Sequence, residues 1–248
     1  MQKKVKFKTQ ELLEFLESIT PFSYQESWDN SGLIVGGVQQ GFNKIYLSLE
    51  ADREVLESLE EDSLLITHHP LIFSPLKQFT DDTYPTSLIK LALKKNIQLL
   101  AMHTNFDKTH FGKYIVENIL GIKEYFQEGF IMSFEWEGDF WALCQSIKDK
   151  MQIKHLKVTQ SCNKNCQKIA LVTGSGASFI HSLKGIDCFI TGDIKYHDAM
   201  IALERGIHLI DCGHYELESY FGEILFPILT KKGYEAIITN SKNPFNFV

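Results

Sequence analysis

Residues 44–70 read KIYLSLEADREVLESLEEDSLLITHHP: an apolar run, a charged middle, a second apolar run and a polar end. In the first run Ile45, Leu47 and Leu49 alternate with other residues, which predicts a strand over 44–50 with one apolar face. The charged stretch from Asp52 to Glu60 has helical character, and SLLITH (63–68) is a second strand. Strand, helix and strand in this order make a βαβ unit, whose crossover lays the two strands parallel.

Working outward, the same alternation continues. A helix is expected near Pro85 to Lys95, a strand over 97–102 (IQLLAM), and a helix from about Phe111 to Leu120 that Gly121 stops. Upstream, Leu12, Leu13, Phe15 and Leu16 recur at helical spacing, predicting a helix from about Thr9 to Ser18 that Thr9 can cap. After Gly129, FIMSFEW and FWALCQ read as strands flanking the turn Glu137, Gly138, Asp139, a hairpin. Strands follow at 167–173, 187–191, 207–211 and 234–239, separated by the turn GSGAS (174–178) with a short helix, a helix to Arg205 and a helix from Tyr215 to Leu229. The expected fold class is α/β, with two interleaved α/β domains whose mixed sheets are flanked by helices. Residues 1–126 with 210–248 form a metal-binding domain and 127–209 a second one.

Composition limits the function classes. A formal charge of −6 gives no broad basic footprint for duplex nucleic acid, and a small anionic ligand fits better. No apolar run approaches the roughly 20 residues needed to span a bilayer, and the charged start MQKKVKFKTQ leads into no apolar signal region, so a cytoplasmic protein is expected. Cys144, Cys162, Cys166, Cys188 and Cys212 are odd in number and scattered, as reduced thiols are. Cys162 and Cys166 in SCNKNC lack the second Cys/His pair that a zinc site requires.

Three polar clusters stand just past apolar strands, where loops of an open α/β sheet converge on ligands. They are Thr67–Pro70, His103–Asp107 and Asp211–Glu218. Adjacent His68 and His69 on an extended segment point to opposite sides and can serve two ions. His214 and Glu218, four apart, share one face of a helix beginning near Gly213. Imidazoles suit zinc, manganese or iron, and carboxylates can bridge two cations, so these four residues with Asp107 make a plausible dinuclear set. Taken singly, Asp107 can equally cap a helix starting near Thr109, and Glu218 can be a solvated helix residue. Two further clusters, Trp28–Gly32 and Thr191–His197, can face the same pocket: Lys195 toward phosphate, His103 or His197 as acid or base, and Asp193 as a helix cap. The turn GSGAS can receive a phosphate on its amides, but it lacks dinucleotide spacing and a Walker lysine.

SWDNSGLIVG (27–36), LLITHHPLIF (64–73), HTNFD (103–107), FITGDIKYHDA (189–199) and DCGHYELE (211–218) together resemble the GTP cyclohydrolase 1 type 2 family, also called the Ngg-interacting-factor-three-like family. The resemblance runs from Trp28 to Glu218 and implies the short form, without the central insertion of some members. It implies two divalent ions per subunit held by His68, His69, Asp107, His214 and Glu218, with Glu218 bridging. It also implies a homohexamer built as a trimer of dimers, and conversion of GTP and water to 7,8-dihydroneopterin triphosphate and formate. Glu50 departs from the aspartate usual after that strand. The competing readings are another metal-dependent hydrolase of nucleotides or phosphoesters, and a metal-binding scaffold without catalysis.

Overall fold

A computed structural model describes residues 5–163, 165–239 and 241–246. The chain forms two compact units, one of residues 1–106 with 220–248 and one of 107–219. The second unit therefore begins at Asp107 and ends at Ser219, taking in residues 107–126 and 210–219, which the sequence pattern places with the first. No shift in composition marks either crossing, so only the contacts of the folded chain locate them.

In chain order the first unit opens with β1 (Phe7–Lys8), α1 (Thr9–Ile19), β2 (Gly32–Val35), β3 (Gly41–Phe42), β4 (Ile45–Ser48), α2 (Arg53–Ser58), β5 (Leu64–Thr67), α3 (Thr86–Lys94), β6 (Gln98–Ala101) and α4 (Thr104–Phe106). The second unit holds π-helical turns at Asp107–Phe111 and Ile115–Ile119 around α5 (Gly112–Tyr114), then β7 (Tyr125–Glu128), β8 (Ile131–Glu135), α6 (Phe140–Met151), β9 (Lys157–Thr159) and β10 (Lys168–Leu171). It continues with a 3₁₀ turn at Ala177–His181, β11 (Cys188–Thr191), α7 (Tyr196–Glu204), β12 (His208–Asp211) and α8 (His214–Glu218). The chain then returns to the first unit as α9 (Phe221–Lys232) and β13 (Ala236–Ile238).

The main sheet of the first unit has the order β13-β4-β5-β6-β2, parallel except for β2. Every residue of β4, β5 and β6 is buried, including Tyr46 and Ser48, so β4 has two covered faces rather than the single apolar face expected from its alternation. Parallel strands under helices on both sides are covered in this way. One face packs on α2 and α3 through Val55, Leu56, Leu88, Ile89 and Ala92. Thr9 does not cap α1; it is buried and its hydroxyl donates to Gln98 Oε1 at 3.0 Å.

The sheet of the second unit has the order β7-β8-β10-β11-β12-β9, with β10, β11 and β12 parallel and the outer strands antiparallel. Both sheets are thus mixed and flanked by helices, as the expected α/β class requires. The hairpin is displaced: β8 pairs with β7, and FWALCQ is the start of α6, not a strand. Asp139 caps that helix by accepting from the amide of Ala142 at 2.8 Å, and Phe140, Leu143, Cys144, Ile147 and Met151 form its buried stripe. The expected single helix over 215–229 is two, α8 and α9. All five cysteines are free thiols, and among the described residues no helix is long and apolar enough to cross a membrane.

Candidate metal site

Strand register delivers the residues of the first unit. Ser48 pairs with Thr67 and Thr67 with Ala101, so the carboxyl ends of β4, β5 and β6 are level. Glu50, His69 and His103 each lie two residues beyond those ends. Antiparallel β2 pairs Gly32 with Ala101, which brings the loop before it, Asp29 to Ser31, to the same edge.

There the three imidazoles gather. Donor atoms of His68, His69 and His103 lie within 4.8 Å of one another, a group able to hold a metal ion. The Nδ1 of each ring is already engaged: His68 with the carbonyl of Met102 at 2.8 Å, His69 with Glu50 Oε1 at 2.5 Å and His103 with Asp29 Oδ1 at 2.6 Å. A carbonyl can only accept, so His68 carries its proton on Nδ1, and its Nε2 keeps the lone pair a metal needs. The carboxylates favour the same tautomer in His69 and His103. His68 is fully buried against Phe106 and Phe221, whose rings pack edge to face at 5.0 Å.

Asp29 is the most heavily bonded of the supporting residues. Besides His103 it accepts from the amide and hydroxyl of Thr104 at 3.0 and 2.5 Å and from the amide of Asn30 at 2.7 Å. Burial opposes its charge, yet these hydrogen bonds prevail and hold its carboxyl well below the usual carboxylate range.

The second unit repeats the device. Thr191 pairs with Asp211, so Asp193 and Gly213 stand two residues past level strand ends, and α8 starts at His214. His214 Nδ1 meets Asp193 Oδ2 at 2.6 Å, and its Nε2 lies 2.9 Å from Glu218 Oε2 one helical turn later. Glu218 is buried. Asp211 fixes the loops around them by accepting from the amides of Ile194 and Gly213 at 3.1 and 3.0 Å while pairing with Lys157 at 2.7 Å. Asp107 accepts from Thr173 Oγ1 at 3.1 Å, and the next residue, Gly174, has its backbone so close to Glu218 that a Cβ there would lie 2.1 Å from Oε1.

His68, His69 and His103 come together in the first unit and His214 with Glu218 in the second, while Asp107 lies in a π-helical turn and is no helix cap. Asp193 does not cap α7 either; Lys195 holds that position, with its amide donating to Asp198 at 2.9 Å. Lys195 and His197 are exposed at the start of α7, and among the described residues His197 belongs to no group of donors able to hold a metal. Glu50 and Asp29 were not recognised from sequence as orienting groups. Their common signal is position, two residues beyond β4 and just before β2.

Asp193 has a left-handed backbone (φ 55), a conformation Asn tolerates and Ala resists. Asp193→Ala is therefore expected to weaken divalent-metal binding about 10- to 100-fold, whereas Asp193→Asn, which keeps an acceptor for His214, retains most of it. Competition with a chromogenic chelator measures both.

Comparison with known proteins bears on this arrangement. The family model described as Duf34/NIF3 (NGG1p interacting factor 3) matches residues 7–244. A protein of Campylobacter jejuni named GTP cyclohydrolase 1 type 2 homolog is 44% identical over 97% of this chain and 99% of its own length. The GTP cyclohydrolase 1 type 2 of Helicobacter pylori strain J99 is 42% identical over 96% and 98%. Among solved structures, Staphylococcus aureus protein SA1388 matches with a TM-score of 0.84 at 23% identity, over 98% of this chain and 99% of that one. Reduced HcgD from Methanocaldococcus jannaschii matches at 0.81 and 24%, over 95% and 99%. These two structures share the fold.

Proposed function

We propose, since this chain belongs to the Duf34/NIF3 family, that it is a metal-dependent GTP cyclohydrolase converting GTP and water to 7,8-dihydroneopterin triphosphate and formate. The observation that carries this reading is the set of four histidines whose Nδ1 atoms are all engaged by oxygen acceptors, which turns each Nε2 toward coordination or proton transfer. His68, His69, Asp107, His214 and Glu218 are the residues that would hold two divalent ions, zinc, manganese or iron. When bound, such cations lower the pKa of water toward neutrality and stabilise negative charge on oxygen.

The remaining roles fall to the chain's own groups. His103, backed by Asp29 as a catalytic histidine is backed by its carboxylate, takes the proton from the water that attacks the carbon between the imidazole nitrogens of guanine. His197 returns a proton to the leaving nitrogen, and Lys195 with neighbouring amides receives the triphosphate. The working form is a cytoplasmic homohexamer, a trimer of dimers.

Metal-loaded protein incubated with GTP is expected to yield formate and 7,8-dihydroneopterin triphosphate in equal amounts by mass spectrometry. His103→Ala and His197→Ala, with metal content unchanged, should each lose about 100-fold or more in turnover. Release of inorganic phosphate in place of formate would reassign the protein to phosphoester chemistry. Wild-type rates in both variants would remove these two residues from the mechanism.

A further inference from the structure

Trp28 and Phe73 are large apolar side chains, yet 58% and 51% exposed. Their rings lie 5.8 Å apart at 56°, and each meets the His103 ring edge on, at 6.2 Å for Trp28 and 6.1 Å for Phe73. Exposed aromatic residues on surface loops are usually mobile, but this pair is held. The residue after Trp28 is Asp29, whose side chain is fully buried under the hydrogen bonds of His103, Thr104 and Asn30. Asn30 Nδ2 in turn donates to the carbonyl of Ile72 at 2.6 Å, which ties the Trp28 loop to the residue before Phe73. The amide of Glu26 donates to Thr104 Oγ1 at 2.9 Å, closing the loop from its other end. Core packing does not explain two rings kept in the open by so many polar links. A planar ligand laid against them does, because it would bury both faces beside a histidine that can exchange protons.

We propose that Trp28 and Phe73 form a stacking site for the planar base of a nucleotide, placing it next to His103. The proposal deepens the nucleotide reading above and rests on it for the ligand class. Aromatic stacking accepts any base through its π face, so the site supplies affinity and position, while discrimination among bases comes from other groups.

Titration calorimetry measures the event in the metal-loaded protein, with GTP, ATP and inorganic triphosphate as titrants. Trp28→Ala and Phe73→Ala should raise the Kd for GTP and for ATP about tenfold or more, with the Kd for inorganic triphosphate and the metal content unchanged. Trp28→Phe should restore most of the affinity, and Trp28→Leu, apolar but without a π face, should not. GTP and ATP affinities within twofold of wild type in both alanine variants would overturn the proposal. So would a loss of assembly size in sedimentation, which would mean that a second copy covers the rings. If GTP binding depends on Trp28 but no formate appears, the stacking site stands and the cyclohydrolase reading fails; formate production with unaltered GTP affinity in Trp28→Ala gives the opposite result.

Discussion

Protein carrying Glu218→Ala is expected to fold, to lose at least half of its bound metal by elemental analysis, and to turn over GTP about a thousandfold more slowly or worse. Glu218 is buried at the end of α8, with Oε2 2.9 Å from His214 Nε2. Removing a buried carboxylate that would otherwise stand beside cations leaves their charge without an offset, and metal assistance to such chemistry amounts to several kcal/mol. At about 1.4 kcal/mol per decade this gives the stated loss in rate. The fold should survive because the change is large to small on a short helix whose other buried residue, Leu217, is untouched. Glu218→Gln separates charge from shape: it should lose metal nearly as severely while keeping thermal stability. Full metal content and full turnover in both variants would remove Glu218 from the centre.

Gly174→Ala should be almost as damaging, although it adds only a methyl group. The new carbon would lie 2.1 Å from Glu218 Oε1 and 3.4 Å from His214 Nε2, at a backbone φ of +61 that favours glycine. Something must move, and the movable part is the carboxylate itself, so metal binding should fall with stability. Gly185→Ala is the matched control: its φ is +65 but nothing lies within 4 Å of the added carbon. The control should show only the backbone cost, about 1 kcal/mol, whereas Gly174→Ala should cost about 1–3 kcal/mol more and lower metal affinity at least tenfold. Thermal unfolding followed in parallel with metal titration distinguishes the two. Equal behaviour of both variants would refute the close-approach argument.

The strands that carry the site were legible because parallel strands covered on both faces are short apolar runs, as LLIT, QLLA, KIAL and HLID are. The histidines were legible because they stand within three residues of the ends of those runs. Other elements were not. FWALCQ opens with two aromatic residues, and its helical stripe emerges only when the window extends to Ile147 and Met151. The actual hairpin partner of β8, YFQE, is half exposed and gives little apolar signal. HTNFD reads as loop, yet helix begins at Thr104 and passes through a π turn containing Thr109 and His110, both weak helix formers. The orienting roles of Asp29, Glu50 and Asp193 depend on which strands lie side by side and in what register, information that resides in pairing rather than in any local pattern.

The level ends of β4, β5 and β6 also set where this protein can change over evolutionary time. Because Glu50, His69 and His103 sit at one common offset from their strands, a residue gained or lost between strand and ligand rotates that side chain to the opposite face. Insertions at the amino ends of the same strands, in the turns that lead from α2 into β5 and from α3 into β6, leave the offset untouched. Length variation among homologues should therefore crowd onto one rim of the sheet, with the other rim fixed to the residue.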